Sequence, residues 1–344
     1  MDMRDFKAMV FMNRYFIVVG GSFPLSLYSI VLHVVTFLLL ITLISCDTTG
    51  QKAGPRISGI TLPPDGQGVY DSCVVDDPDC VNHLNIFAAG GFKLVMNYAQ
   101  MYASASDQLS YAQEAHAHGI KIIWSMNDVT YRNGKDLRKR FTSLARTCNC
   151  VDNAGFITYV VNLVKNLPAT YGYYIGDEVD PHEKVTPGVH WLASLIKSLD
   201  PNHPRLTVGA STDTPSQISY YYPPSMMDTA DIIGADYYPY GYVTTGTNIN
   251  TLADKVAHNL QTIADQHDKQ YYMVLQAFTW EQHLCNPWPS CAPFPSYVQM
   301  RAQRDEVLKN SHPRFILWYS YFDLLKSDNP GKHWADLVAG AGAK

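Results

Sequence analysis

The chain has 344 residues, 47% hydrophobic and 17% charged, with a formal net charge of -5. It can bury a sizeable core and carries no polybasic signature, which argues against nucleic acid as a partner. Aromatic residues make up 12%, with 23 Tyr and 6 Trp, and much of this content falls near predicted strand ends, where flat rings suit either a sugar face or ordinary core packing.

Phe23 to Ile44 is an almost uninterrupted apolar run that follows Arg4, Lys7 and Arg14. It reads as an export signal, and it is also long enough to span a bilayer as a retained signal anchor. The run stops at Leu43-Ile44-Ser45-Cys46, which resembles the lipobox of bacterial lipoproteins. That resemblance implies lipidation at Cys46, a membrane attachment through the N-terminal anchor, and an exported protein at the cell surface or in the periplasm. Residues 1-46 are thus expected to be signal or anchor, 47-55 a polar tether, and 56-344 the folded domain.

Six further cysteines form three local pairs: Cys73 with Cys80, Cys148 with Cys150, and Cys285 with Cys291. Local pairs in loops fit disulfides made outside the cytoplasm. Zinc is the alternative, but the pairs lack the two-residue spacing and the nearby His of a zinc site. The acidic run Asp76, Asp77 and Asp79 lacks the Gly and terminal Glu of a calcium loop. No metal and no cofactor are expected.

From Arg56 onward, strand-like runs alternate with helical patterns. The predicted strands are Ile57 to Leu62, Lys93 to Tyr98, Lys121 to Met126, Gly172 to Gly176, Arg205 to Ala210, Ile232 to Tyr237, Tyr271 to Ala277 and Phe315 to Tyr321. Helical patterns include Ser106 to His118, Ala154 to Leu167, Val189 to Leu199, Leu252 to Gln266, Tyr297 to Lys309 and Lys332 to Val338. Such alternation predicts an α/β protein, specifically a (β/α)8 TIM barrel with loop insertions. The helix-to-strand turns are short, whereas the strand-to-helix loops are long and hold the cysteine pairs and most carboxylates. An open doubly wound sheet would need a Gly-rich turn after its first strand, and Leu62-Pro63-Pro64-Asp65-Gly66 is not one.

The most informative segment is Tyr173-Tyr174-Ile175-Gly176-Asp177-Glu178-Val179-Asp180, an aromatic strand that ends in three carboxylates. Crowded carboxylates repel, and burial disfavours ionisation, so one pKa should rise toward the range of a general acid. The competing reading is a solvated strand end with Asp180 as a helix cap before Pro181. Aligning the strands by their ends gathers Asn97, Trp124 with Asn127 and Asp128, Asp177 with Glu178, Asp236 with Tyr238, Gln276 with Trp280 and Glu281, and Trp318 with Tyr321 and Asp323. Carboxylates and amides bond hydroxyls while Trp and Tyr stack on sugar rings, so Asn97, Trp124, Asp128, Tyr238, Gln276, Trp280, Trp318 and Tyr321 are candidate substrate contacts. Asp236 can equally hold its own turn, and Trp318 can equally fill the barrel.

On Tyr173 to Val179, Gly234-Ala235-Asp236-Tyr237-Tyr238-Pro239 and Val274-Leu275-Gln276-Ala277-Phe278, the domain resembles the (β/α)8 glycoside hydrolases whose proton donor is a Glu ending the fourth strand. The resemblance implies a carbohydrate substrate, with Glu178 protonating the leaving oxygen and later activating water. Two departures stand out: Asp177 replaces the Asn that normally precedes the donor, and Gln276 stands where a nucleophilic Glu is expected. Glu281 or Asp236 is then the expected second carboxylate. Gly176-Asp177-Glu178-Val179 is also similar to the Asp-Glu pair of β-hexosaminidases, which implies substrate assistance with Asp177 orienting an acetamido group. A catalytically silent, carbohydrate-binding barrel is the further alternative, favoured by Gln276.

Overall fold

The computed structural model describes residues 56-57, 60-73, 80-131, 136-139, 141-182, 186-210, 217-240, 249-280 and 293-343. The expected signal, tether and lipidated Cys46, the acidic run at 76-79, Glu281, and the Cys285 and Cys291 pair lie outside these residues. Among the described residues, no helix is long and apolar enough to cross a membrane.

Eight parallel strands close into a barrel: β1 Gln67–Asp71, β2 Leu94–Asn97, β3 Lys121–Ser125, β4 Thr170–Asp177, β5 Arg205–Ala210, β6 Ile232–Tyr237, β7 Gln270–Gln276 and β8 Ile316–Tyr319, with β8 pairing to β1. The expected (β/α)8 architecture therefore holds. Seven strands lie where the apolar runs put them. The first does not: Arg56–Ile57 and Ile60–Thr61 form a separate antiparallel hairpin, and the barrel begins at Gln67. Leu62 to Gly66 thus precedes β1, and its Asp65 accepts from Arg314 Nε at 2.5 Å and from the Tyr171 hydroxyl at 2.6 Å.

The reason is that β1 contains two buried polar side chains, Gln67 with partners far along the chain and Asp71 with its partner on the next helix. Gln67 donates to the Ala341 carbonyl at 2.7 Å and accepts from Trp318 Nε1 at 2.8 Å, while Asp71 faces His83 at 3.0 Å. Buried polar groups are tolerated when bonded, so a strand can form without a hydrophobic pattern. Gly68 is needed here because a Cβ would lie 2.5 Å from the Leu94 side chain.

Both faces of the barrel wall are buried, as parallel sheets require. Inward residues such as Tyr70, Leu94, Met96, Ile123, Leu206, Tyr272 and Leu317 form the interior cluster. Their neighbours Val95, Ile122, Trp124, Tyr173, Ile233 and Trp318 pack outward against helices. Those helices include α1 Cys80–Gly90, α2 Ala105–Ala117, α3 Asn127–Tyr131, α4 Thr142–Cys148, α5 Asn153–Val164 and α6 Thr186–Leu199. After β5 comes the single turn α7 Ile218–Tyr221, then α8 Ile249–Gln266, α9 Tyr297–Asn310, α10 Tyr321–Leu325 and α11 Pro330–Ala341.

Local chemistry fixes their ends. Ser296 and Gln299 form a reciprocal capping box on α9, and Ser104 accepts from Asp107 N at the start of α2. α8 buries Ala253, Val256, Ala257, Leu260 and Ala264, one stripe at helical spacing. Disulfides join Cys73 to Cys80 and Cys148 to Cys150.

Candidate active site at the barrel mouth

The mouth is organised by an irregularity in β4. Tyr174 pairs with Leu206, both facing inward, but the register then shifts so that Gly176 pairs with Thr207 and Asp177 with Val208. One extra residue exchanges the two faces of a strand. Without the shift Asp177 would point outward with Tyr173 and Ile175. With it, Asp177 joins the inward set of Tyr174 and Val208.

The Asp177 carboxylate is enclosed by donors. Oδ1 accepts from the Tyr174 hydroxyl at 2.6 Å, and Oδ2 accepts from the Tyr98 hydroxyl at 3.0 Å and Asn127 Nδ2 at 3.3 Å. Burial pushes its pKa up to about 6, the Tyr174 bond pulls it down, and the neighbouring Glu178 charge pushes it up again. Desolvation outweighs three hydrogen bonds at this half-buried carboxylate, which has no cation beside it. The expected rise in this cluster thus falls on Asp177.

Glu178 follows in a left-handed conformation, φ +48°, with its backbone N–H donating to the Val208 carbonyl at 3.0 Å. A non-glycine residue there carries roughly 1–2 kcal/mol of strain, and such strain concentrates at functional sites. Its side chain is exposed. Its charge bears on Tyr221, Tyr238 and Tyr319, so it stands over the mouth beside the aromatic rim.

That rim is continuous. Tyr70 meets Tyr98, Tyr174 and Tyr319 at ring separations of 5.6, 6.2 and 5.3 Å, and Tyr319 meets Tyr238 at 5.7 Å. Tyr238 then meets Phe278 at 5.1 Å and Trp280 at 6.3 Å, while Phe322 closes on Tyr98 and Tyr319. Burial first, and then nearby carboxylate charge, holds Tyr70, Tyr98 and Tyr238 well above the ordinary phenol range. These hydroxyls therefore remain donors at physiological pH. Asp236, the last residue but one of β6, is in the inward phase of Ile232 and is 4% exposed.

Four expected substrate contacts sit elsewhere. Asn97 points out of the wall, donating to Cys73 Sγ at 3.0 Å and to the Tyr111 hydroxyl at 3.3 Å, and accepting from Ala99 N and Gln100 N. Trp124 is fully buried outside the barrel with Nε1 on Thr170, as is Trp318 with Nε1 on Gln67. Tyr321 is buried among His83, Phe87 and Trp334. Asn97, Trp124 and Trp318 lie behind the wall for the same reason: the next residue, Tyr98, Ser125 or Tyr319, holds the inward position, whereas Tyr321 opens α10 beyond the end of β8. Gln276 is fully buried and clamps the loop after β6, accepting from Tyr240 N and donating to the Tyr240 and Phe278 carbonyls. Asp128 is half-buried in the first turn of α3, where its neighbour Asn127 makes the bond to Asp177.

The residues missed are Tyr70, Tyr98, Tyr174, Tyr319 and Phe322; Asn127 was grouped with the mouth but given no role. A signal existed: Tyr98, Tyr238 and Tyr319 each stand at or just past a strand end.

The raised pKa has a consequence for stability. Asp177 takes up its proton near pH 6 when folded but near 3.8 when unfolded, so stability contributed by the neutral form is lost as pH rises through this window. Asp177→Asn removes the titration. The stability of the variant relative to wild type should become more favourable by about 2 kcal/mol between pH 4.5 and 7.5. Urea unfolding at the two pH values measures this, and a difference independent of pH would contradict the raised pKa.

No protein-family profile and no curated protein matches the sequence. Solved structures do. The endo-beta-1,4-mannanase of Thermotoga petrophila aligns with a TM-score of 0.53 and 14% identity over 74% of this chain and 68% of its own. A β-mannanase from the blue mussel Mytilus edulis aligns with a TM-score of 0.47 and 13% identity over 83% of this chain and 93% of its own. The β-glucuronidase of Ruminococcus gnavus gives 0.49 and 10%, over 76% of this chain and 44% of its own, so this chain spans less than half of that enzyme. The structural neighbours are thus (β/α)8 glycoside hydrolases. At 14% identity the first likeness shows the fold alone.

Proposed function

We propose that the chain is a glycoside hydrolase that cleaves a glycosidic bond in an oligo- or polysaccharide, with Glu178 as general acid/base. The observation that carries this reading is an exposed carboxylate held in a left-handed conformation at the end of β4, above a mouth lined with aromatic rings. The Glu178 carboxyl gives its proton to the glycosidic oxygen as the bond to the anomeric carbon breaks. Water supplies the hydroxyl that replaces the leaving group, and its proton passes to a carboxylate.

Asp236 is the second carboxylate of choice among the described residues, because it stands near the end of β6, two strands round the barrel from β4, in the inward phase. Tyr238 and Trp280 offer ring faces for a sugar. Asp177 acts from below. Its two oxygens already accept three hydrogen bonds, which favours a role in fixing Tyr98, Tyr174 and Asn127 over holding a substrate acetamido group. The substrate-assisted mechanism is therefore the less favoured. A silent, glycan-binding barrel draws its support from Gln276, an amide at the end of β7 whose hydrogen bonds all go to the backbone. The Leu43 to Cys46 lipobox would tether this activity to a membrane outside the cytoplasm.

Sugar release from β-glucans, mannans, galactans and N-acetylhexosamine substrates, with Glu178→Gln alongside, tests the proposal. Release that disappears in the variant supports hydrolysis through Glu178. Binding without release by the wild type on every substrate supports the silent barrel instead.

A further inference from the structure

Behind the barrel wall, three metal-binding side chains converge between β1 and α1, and Cys80 is bonded to one of them. Asp71 ends β1, Cys73 follows two residues later, Cys80 opens α1, and His83 lies three residues on, on the same helical face as Cys80. Donor atoms of Asp71, Cys73 and His83 all lie within 4.8 Å of one another, and Cys73 is bonded to Cys80. Asp71 Oδ2 and His83 Nδ1 are 3.0 Å apart, and all four residues are buried. The spacing Cys80-x-x-His83 supplies the nearby His that the cysteine pattern alone does not reveal.

We infer that Asp71, Cys73, Cys80 and His83 form a tetrahedral zinc site when the Cys73 to Cys80 disulfide is reduced. Two thiolates, one imidazole and one carboxylate make a closed donor set of the kind structural zinc sites use, with ligand distances of about 2.0–2.3 Å. Neighbouring N and O ligands around such an ion sit roughly 3.3 Å apart, close to the separation of His83 and Asp71. The oxidised form cannot bind in this way, because two sulfurs joined to each other are too close to occupy two corners of a tetrahedron. Asn97 Nδ2, which donates to Cys73 Sγ at 3.0 Å, would stabilise the thiolate as an outer hydrogen bond. The chemistry balances with a dithiol reductant. The dithiol gives two electrons and two protons to the disulfide and becomes a cyclic disulfide, and Zn2+ then displaces the two protons from the new thiols.

The site also accounts for Asp71 and His83 themselves. A disulfide alone needs neither, whereas a metal needs both. Zinc would then staple the end of β1 to α1 in place of the covalent bond.

The test uses the full-length chain carrying Cys46→Ser, Cys148→Ser, Cys150→Ser, Cys285→Ser and Cys291→Ser, so that only one pair remains. After reduction and removal of the reductant, titration with Co2+ should give a tetrahedral thiolate spectrum at one equivalent, abolished by Zn2+. His83→Ala and Asp71→Asn should each weaken Co2+ binding tenfold or more, and the oxidised protein should show no spectrum. If the reduced chain loses its near-ultraviolet circular dichroism, Zn2+ should restore it. No cobalt spectrum after reduction, an equal spectrum in the oxidised protein, binding unaffected by His83→Ala, or an unfolded reduced chain that Zn2+ does not rescue would each overturn the site.

Discussion

Glu178→Gln is expected to lower turnover of an unactivated glycan by about 10²–10⁴-fold, the range over which positioned proton transfer contributes to catalysis. The side chain is exposed and its amide isostere has the same shape, so the melting temperature should stay close to that of the wild type. KM should change little, because the lost proton transfer belongs to the transition state and not to ground-state binding. A parallel fall in stability would instead place Glu178 among structural residues.

Trp318→Ala should unfold the barrel more than it impairs chemistry. Trp318 has no exposed surface, packs in the outer core and donates through Nε1 to buried Gln67 at 2.8 Å. Truncating a buried Trp typically costs about 3–5 kcal/mol, from lost burial plus the cavity left behind. Trp318→Phe keeps most of the ring but leaves the Gln67 oxygen unpaired, for which about 1–3 kcal/mol is expected. Urea unfolding measures both, and sugar release per folded molecule should be unchanged in Trp318→Phe. Were Trp318 a sugar floor, the reverse pattern would follow: little loss of stability and a large rise in KM.

The two substitutions bear on what the sequence could and could not convey. Strand positions from β2 to β8 were legible because each is a short apolar run bounded by turns, such as Lys121 to Met126 after Gly119, whose φ of +67° ends α2. The facing of those strands was not legible. In a parallel barrel both faces are buried, so Met96, Asn97 and Tyr98, or Leu317, Trp318 and Tyr319, show no polar alternation to set the phase. Choosing Asn97 over Tyr98 and Trp318 over Tyr319 is the same one-residue slip, and it moves a side chain from the mouth to the wall.

β4 illustrates the opposite case. The carboxylate cluster was evident in Asp177 and Glu178, yet the bulge that turns Asp177 inward depends on how Tyr174 and Gly176 pair with a strand some thirty residues away. β1 was missed because its polar side chains are bonded only once the chain folds: Gln67 to Ala341 and Trp318 across the closed barrel, and Asp71 to His83 on the next helix. Gln276 stood out correctly as the residue at the end of β7. Its three hydrogen bonds to the Tyr240 and Phe278 backbone belong to loop geometry that composition does not encode.

The most direct measurement of the central claim compares wild type and Glu178→Gln on two substrates that share a sugar, one a natural glycan and the other an aryl glycoside whose phenolate leaves without a proton. With Glu178 as the acid, the variant loses about 10²–10⁴-fold on the glycan and far less on the aryl glycoside. An equal loss on both, or full activity of the variant on the glycan, would contradict the assignment.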